Sequence, residues 1–403
     1  MSIILRDVYE ETRNRFGLKL IAGEKGLSSA MNWVYIAESF VGPGYLSGGE
    51  LIITTGVLCR ESPDWLYHFI ESMISEHTCG LILNIGRYIW PAYITADIIG
   101  LCNRHNYPLF TMPWETLITD VTRNYYNRIF EDNQKNEVIT SAFLDLVHGR
   151  GEQTASLSLL AEHGCDPSAD YCVMYIRFHP KETQDQERKR TEARIRLILS
   201  GQIREHHLSA YLCSTKEYFL LVFQMGPQQK EEQIRTFGVL LLRLLCNRFP
   251  MLEIYAGCGS ISHSLSGLSK SFFHARTAAE YASLFLKEEE KHFISFQELG
   301  FYQILLSVPD REILKSYSDS RLEAVLAFDR EHHSSFADTL REYLRCGSSV
   351  QTAAEHLFCH RNTINKRVRI LREELHYDLD NPQVIFELYA AFLIRDFLKH
   401  FPN

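Results

Sequence analysis

Between His360 and Arg372 the chain carries Arg361, Lys366, Arg367, Arg369 and Arg372, and no acid until Glu373. Guanidinium and ammonium groups neutralise phosphates or bond guanine edges, and carboxamides pair bidentately with adenine. Asn362 and Asn365 stand among these cations. Ile364, Val368, Leu371 and Leu375 recur at spacings of four, three and four, which is one stripe of an α-helix. At about 100° per residue, Asn362, Asn365, Lys366 and Arg369 fall on the opposite face. Just upstream, Val350, Ala353, Ala354 and Leu357 form a second, shorter stripe behind the capping residues Gly347-Ser348-Ser349, and Phe358-Cys359-His360 breaks the two apart. A short helix, a tight turn and a second helix with a basic, amide-bearing face is the layout of a helix-turn-helix over residues 349–375. The plainer reading of the same residues is a solvated basic face on an ordinary helix.

A second group of polar residues falls at the ends of apolar runs. Trp33–Ile36, Leu51–Thr54, Gly80–Ile85 and Pro108–Met112 read as strands, with helices expected over 63–77 and 91–105. Strands alternating with helices imply parallel pairing with right-handed crossovers. Ligands of such sheets sit beyond the carboxyl ends of the strands. Three of those ends carry Thr54-Thr55-Gly56, Asn84-Ile85-Gly86-Arg87 and Met112-Pro113-Trp114-Glu115. Hydroxyls, an amide, a guanidinium and an indole suit a small polar, nitrogen-rich or anionic metabolite. The alternative is that Gly48, Gly49 and Gly56 serve turns and the threonines pack.

Catalytic and metal signatures are sparse. No Gly-x-Ser-x-Gly, phosphate-binding loop or His-Glu-x-x-His motif occurs. His356, Cys359 and His360 cluster around one turn without a fourth ligand, and the pairs His206–His207 and His332–His333 suit solvent better than a metal geometry. No metal and no cofactor are expected. The ten cysteines include no Cys-x-x-Cys pair and read as reduced, mostly buried thiols.

The elements that position these groups form several domains. The 403 residues are 45% hydrophobic and 12% aromatic, enough for sizeable cores. The formal net charge of −8 confines any DNA contact to a local patch. No apolar run reaches the roughly 18–20 residues of a membrane span, and the first residues lack a signal-peptide pattern, so a cytoplasmic protein that does not engage membrane is expected. The divisions expected are an α/β domain over 1–125, connecting helices over 126–163 ending at Gly149-Arg150-Gly151, an α+β domain over 164–298 and a helical domain over 299–403. Within the third, Tyr171–Phe178, Ala210–Ser214, Tyr218–Phe223 and Glu253–Gly259 read as strands, the middle two as a hairpin; helices are expected over 188–205, 231–249 and 266–286. Val384–Ile394 is apolar except for Glu387; such a helix is buried, under the DNA reader or in a dimer interface.

Thr352-Ala353-Ala354-Glu355-His356-Leu357 followed by Cys359-His360-Arg361-Asn362-Thr363-Ile364 resembles the helix-turn-helix of PucR-type transcription regulators, as does Tyr377-Asp378-Leu379-Asp380-Asn381-Pro382 downstream. Asn365 stands where that family commonly has Tyr. Leu20–Gly23, Trp33–Glu38 and Leu46–Gly56 resemble the family's N-terminal domain, and the last stretch also resembles, more weakly, the N-terminal domains of Mur ligases. Residues 170–290 resemble its GGDEF-like middle domain. A working diguanylate cyclase needs a Gly-Gly-Asp/Glu-Glu-Phe turn; this chain has Ser214-Thr215-Lys216-Glu217-Tyr218-Phe219, and Glu217 lacks the partner carboxylate of a two-metal site. The resemblance therefore implies a non-enzymatic, ligand-responsive activator of purine or related nitrogen catabolism; a sugar-acid sensor of the same architecture and a degenerate nucleotide-signalling enzyme are the alternatives. The DNA contacts it implies are His360, Arg361, Asn362, Thr363, Asn365, Lys366, Arg367 and Arg369. The effector contacts are Glu38, Glu50, Thr54, Thr55, Gly56, Asn84, Arg87 and Trp114. One helix-turn-helix covers too few base pairs for genomic specificity, so a homodimer or higher even oligomer on operator DNA is expected.

Overall fold

A computed structural model describes residues 3–40, 45–60, 64–180, 185–226, 231–286 and 292–400. The chain forms two compact units, residues 1–296 and 297–403.

The first unit opens with β1 (Ile3–Ile4), α1 (Leu5–Phe16), β2 (Lys19–Ala22), β3 (Ala30–Met31), β4 (Trp33–Ile36), β5 (Glu50–Thr54), α2 (Trp65–Ser75), β6 (Gly80–Ile85), α3 (Ala96–Arg104), β7 (Leu109–Pro113) and α4 (Ile118–His148). Its five-stranded sheet has the order β2-β7-β6-β5-β4, parallel from β4 to β7, with β2 antiparallel on the edge. Side-chain alternation splits the strands between two cores. Ile52, Leu81 and Leu83 pack with Leu66, Phe69, Ile70 and Met73 of α2. Leu51, Ile53, Ile82 and Phe110 pack with Leu5 and Val8 of α1 and Val121 and Tyr125 of α4. Strands covered on both faces read as continuous apolar runs, which is why the sequence marks them clearly. β2 was not among the expected strands because it is an edge strand with only Ala22 fully buried. The helix expected over 91–105 is shorter: residues 91–93 form a 3₁₀ turn, and the Thr95 hydroxyl accepts from the Ile98 amide at 3.4 Å to start α3. Pro63, the expected start of α2, lies outside the described residues.

The division expected between residues 125 and 126 falls inside a single 31-residue helix. Val121, Tyr125 and Ile129 of α4 belong to the first sheet's core, whereas Ala142, Phe143, Leu146 and Val147 belong to the next one. One helix thus serves both cores, and a cut at 125 takes Ile129 from the first. The next elements are α5 (Gln153–Glu162), β8 (Asp170–Pro180), α6 (Asp185–Glu205), β9 (Ala210–Ser214), β10 (Tyr218–Met225), α7 (Glu231–Arg248), β11 (Leu252–Cys258), α8 (Leu268–Phe285) and β12 (Phe293–Ser295). The sheet order is β12-β11-β8-β10-β9, antiparallel except for β11 with β12. Met174, Ile176 and Leu221 face α6 and α7 through Leu199, Phe237 and Leu241; Val173, Tyr175 and Val222 face α4, α5 and α8 through Phe143, Leu160 and Ala275.

His274 of α8 stacks on Phe296 with ring centroids 3.6 Å apart, its Nδ1 2.8 Å from the Ser260 hydroxyl. Burial, followed by the charge of Lys270, pushes its pKa down from the ordinary 6.5 to about 4. The folded value lies below the unfolded one, so the unfolded chain takes up the proton first as the pH falls. The stability contribution is therefore complete above pH 6.5 and lost as the pH falls towards 4. His274→Gln is expected to flatten the fall in Tm over that window; a slope equal to the parent's would show that His274 does not titrate this way.

The second unit is all-helical: α9 (Tyr302–Ser307), α10 (Arg311–His332), α11 (Phe336–Arg345), α12 (Val350–His356), α13 (Arg361–Glu373) and α14 (Pro382–His400). Leu388, Ala391 and Phe392 of α14 share one core with Leu322 and Val325 of α10, Leu340 of α11, Ala353 of α12 and Ile364 and Leu371 of α13. The apolar C-terminal helix therefore packs under α12 and α13. Among the described residues, no helix is long and apolar enough to cross a membrane.

Candidate nucleic-acid interface and effector edge

α12 begins where the Ser349 hydroxyl accepts from the Thr352 amide at 3.3 Å. It ends with the Cys359 amide reaching back to the Ala354 carbonyl at 3.0 Å and Phe358 in the left-handed region at φ 50°. That turn leaves Phe358 97% exposed. α13 then starts at Arg361, its first turn capped by His360, whose Nδ1 accepts from the Asn362 amide at 3.2 Å. Ile364, Val368 and Leu371 are buried beneath α13. Arg361, Asn362, Thr363, Asn365, Lys366, Arg369 and Arg372 are exposed on it. Two of the cations have acidic neighbours: Arg369 lies 3.8 Å from Glu373, and Arg372 donates to Asp380 at 2.8 Å. Exposed pairs of this kind hold a side chain weakly, by ~0–1 kcal/mol, and yield to a phosphate.

Arg367 departs from the expected set. Its guanidinium turns inward, donating to the Thr339 hydroxyl at 2.6 Å and the Ser335 hydroxyl at 3.4 Å, and lies over the Phe336 ring 5.5 Å from its centre. Thr339 is fully buried. Arg367 thus ties α13 to the start of α11. Helical phase explains this: three residues after Ile364 and one before Val368, it sits at the margin of the buried stripe.

In the first unit, the carboxyl ends of the parallel strands share one edge. Glu38, just past β4, accepts from the Thr54 hydroxyl at 3.2 Å and the Thr55 amide at 2.9 Å. Thr54 is fully buried and accepts from the Gly56 amide at 3.1 Å. Asn84 is buried and donates to the Pro113 carbonyl at 2.9 Å, so it braces β6 against β7 and offers little to a ligand. Arg87 is exposed beside Tyr88 and Trp114, 5.3 and 5.2 Å from their ring centres. Glu50 does not join them. It begins β5, at the opposite edge, where its buried carboxylate accepts from the Ser47 and Gly48 amides at 2.7 and 3.0 Å. It is a loop anchor, misplaced because residues four apart in a strand lie at its two ends. Sequence reasoning also missed a cleft of about 360 Å³ between α2 and α3, lined by Asp64, Tyr67, His68, Thr95, Asp97 and Arg104 among others. It is built from polar residues at the starts of two helices and from Arg104 at the end of α3, which carry no spacing signal of their own.

The middle-domain hairpin closes on itself. The Thr215 amide donates to the Tyr218 carbonyl at 2.9 Å, and its hydroxyl accepts from the Glu217 and Tyr218 amides at 3.3 and 3.1 Å. Glu217 points to solvent from a turn with no second carboxylate.

A sheet domain with a parallel strand edge, a GGDEF-like sheet and a helical reader define a multidomain regulator. Comparison with known proteins agrees. Residues 7–129 match the purine catabolism regulatory protein-like family, residues 148–281 the GGDEF-like domain and residues 336–394 the PucR C-terminal helix-turn-helix domain. The chain carries the domain set of PucR-type transcription regulators. The DNA-binding transcriptional activator AdeR of Bacillus subtilis is 28% identical over 234 residues, 58% of this chain and 53% of AdeR. The proline-responsive transcriptional activator PutR of the same organism is 28% identical over 141 residues, 35% of this chain and 34% of PutR. The matched stretches span about half of the first relative and a third of the second. A regulator of polyketide synthase expression from Bifidobacterium adolescentis overlaps 64% of this chain and 91% of its own, at 18% identity and a TM-score of 0.26. These matches are to regulators and not to enzymes, and the GGDEF likeness is one of fold.

Proposed function

We propose that the protein is a cytoplasmic, ligand-responsive transcription activator that reads operator DNA with α13, as a homodimer, in response to a nitrogen-containing metabolite. The observation that carries the DNA reading is the face of α13, where Arg361, Asn362, Asn365, Lys366 and Arg369 stand exposed opposite the buried Ile364, Val368 and Leu371. A helix anchored on one side and lined with donors on the other fits the major groove. Activation is supported by the named roles of AdeR and PutR. A nitrogenous effector from purine or related catabolism is supported by the purine-regulator family match and the proline response of PutR.

The effector is placed at the edge formed by Glu38, Thr54, Thr55, Gly56, Arg87 and Trp114. There a carboxylate and a guanidinium beside two aromatic rings offer both charges to one small polar molecule. A ligand that favours the folded state raises Tm. A thermal-shift screen of purines, allantoin-type ureides, proline and sugar acids on the full chain is expected to give a nitrogenous hit. That hit should shift operator affinity by about 5–150-fold. Arg87→Ala and Glu38→Gln are expected to abolish the shift while keeping ligand-free operator binding. A sugar acid as sole hit would replace the effector class. A full response in both variants would move the site elsewhere, with the Asp64–Arg104 cleft the next place to substitute.

A further inference from the structure

Glu342 and Cys346 stand one turn apart on and just past the end of α11, and His356 ends α12. Their donor atoms converge. His356 Nδ1 lies 2.6 Å from Glu342 Oε1, Cys346 Sγ is 3.4 Å from that same oxygen, and Cys346 Sγ is 3.5 Å from His356 Nδ1. Among the described residues this is the group of three or more His, Cys, Asp or Glu side chains whose donor atoms share such a space.

Tetrahedral zinc with metal–ligand distances of roughly 2.0–2.3 Å places its donor atoms about 3.3–3.7 Å apart. Both distances to the sulfur already have that length. Only the Glu342–His356 hydrogen bond must open, by somewhat under about 1 Å, for an ion to replace its proton. The other carboxylate oxygen, Oε2, faces the Arg345 guanidinium at 3.7 Å, which orients Oε1 towards the group. The Glu342 side chain is only 14% exposed while His356 is 49% exposed, so the group has a fixed floor and an open mouth.

We propose that Glu342, Cys346 and His356 form a binding site for a zinc-class divalent ion, with water as the fourth ligand. Mixed sulfur, nitrogen and oxygen donors select such an ion over magnesium or calcium. On binding, a metal–sulfur bond forms and the thiol proton passes to solvent. His356 binds through Nδ1 with its proton on Nε2, and the two anionic ligands balance the dication. The ion would staple the end of α11 to the end of α12, immediately before the turn into α13. Occupancy would then stiffen the base on which the recognition helix sits.

The probe is cobalt(II) added to the metal-free full chain, because a thiolate–cobalt bond adds a near-ultraviolet charge-transfer band. One equivalent is expected to produce that band, and zinc to remove it by displacement. Cys346→Ser should abolish the band, and His356→Gln should weaken zinc binding at least about tenfold. Cys359→Ser, in the adjacent turn, should leave both unchanged. Circular dichroism of each variant confirms the fold; Cys346 is partly exposed, so its serine variant is expected to fold. No band at saturating cobalt, a band unaffected by Cys346→Ser, or a band lost with Cys359→Ser would each overturn the site.

Discussion

Alanine at Arg361, Asn365, Lys366 or Arg369 is expected to weaken operator binding while circular dichroism and Tm stay at the parent values. Each lost base contact costs roughly 1–3 kcal/mol, about 5–150-fold in Kd. A residue that meets a phosphate instead lowers affinity on all sequences alike and reduces the salt slope by about one. Titrations on operator and scrambled DNA at several salt concentrations separate the two. All four side chains are exposed, so their loss leaves the core under α13 intact. Arg367→Ala is expected to behave differently. It removes the donor to the buried Thr339 hydroxyl, which keeps its own bond to the Ser335 carbonyl, and uncovers Phe336, so its first effect is a lower Tm. Footprints of the parent should show two half-sites about one helical turn, or a multiple of it, apart. Unchanged operator affinity in all four exposed variants would remove α13 from the interface.

Gly257→Ala is expected to cause a large loss of stability. Gly257 lies in β11, pressed against α8. A Cβ there would lie 2.2 Å from the Ala275 carbonyl oxygen, 2.4 Å from the Ala279 amide nitrogen and 2.7 Å from the Ala278 Cβ. Backbone on both sides cannot rotate away as a side-chain tip could. Overpacking of a rigid site costs typically about 1–3 kcal/mol and sometimes more. With backbone as the obstacle, the upper end or failure to fold is expected. In a domain of this size each kcal/mol moves Tm by roughly 2–4 °C. Gly201→Ala provides the contrast. It lies within α6 with open space where the Cβ would go, so alanine should raise stability by about 0.5–1 kcal/mol. A Gly257→Ala protein melting within a degree of the parent would refute the close approach of α8 to the sheet.

The helix-turn-helix was legible in the sequence because its geometry is local. Helical period alone places Ile364, Val368 and Leu371 on one face of α13 and Arg361, Asn365, Lys366 and Arg369 on the others. The structure keeps those assignments because a single core lies beneath the helix. The strands β5, β6 and β7 were legible for a similar reason: burial on both faces writes nearly unbroken apolar runs. Residues at the margins of such patterns were not legible. Arg367 sits one residue before the buried Val368, and whether it faces DNA or Thr339 depends on α11, 28 residues away in the chain. Glu50 and Thr54 are close in sequence yet anchor opposite edges of a sheet, while Glu38 and Thr54, 16 residues apart, share a hydrogen bond. Helix α4 reads as a connector because its exposed middle is polar, but its two ends lie in different cores. The sequence also set Cys359 and His360 beside His356 as neighbours in one turn. Folding instead brings His356 to Glu342 and Cys346 of another helix. Periodicity determines which side of an element is buried; only the packing of one element on another determines which distant side chains meet there.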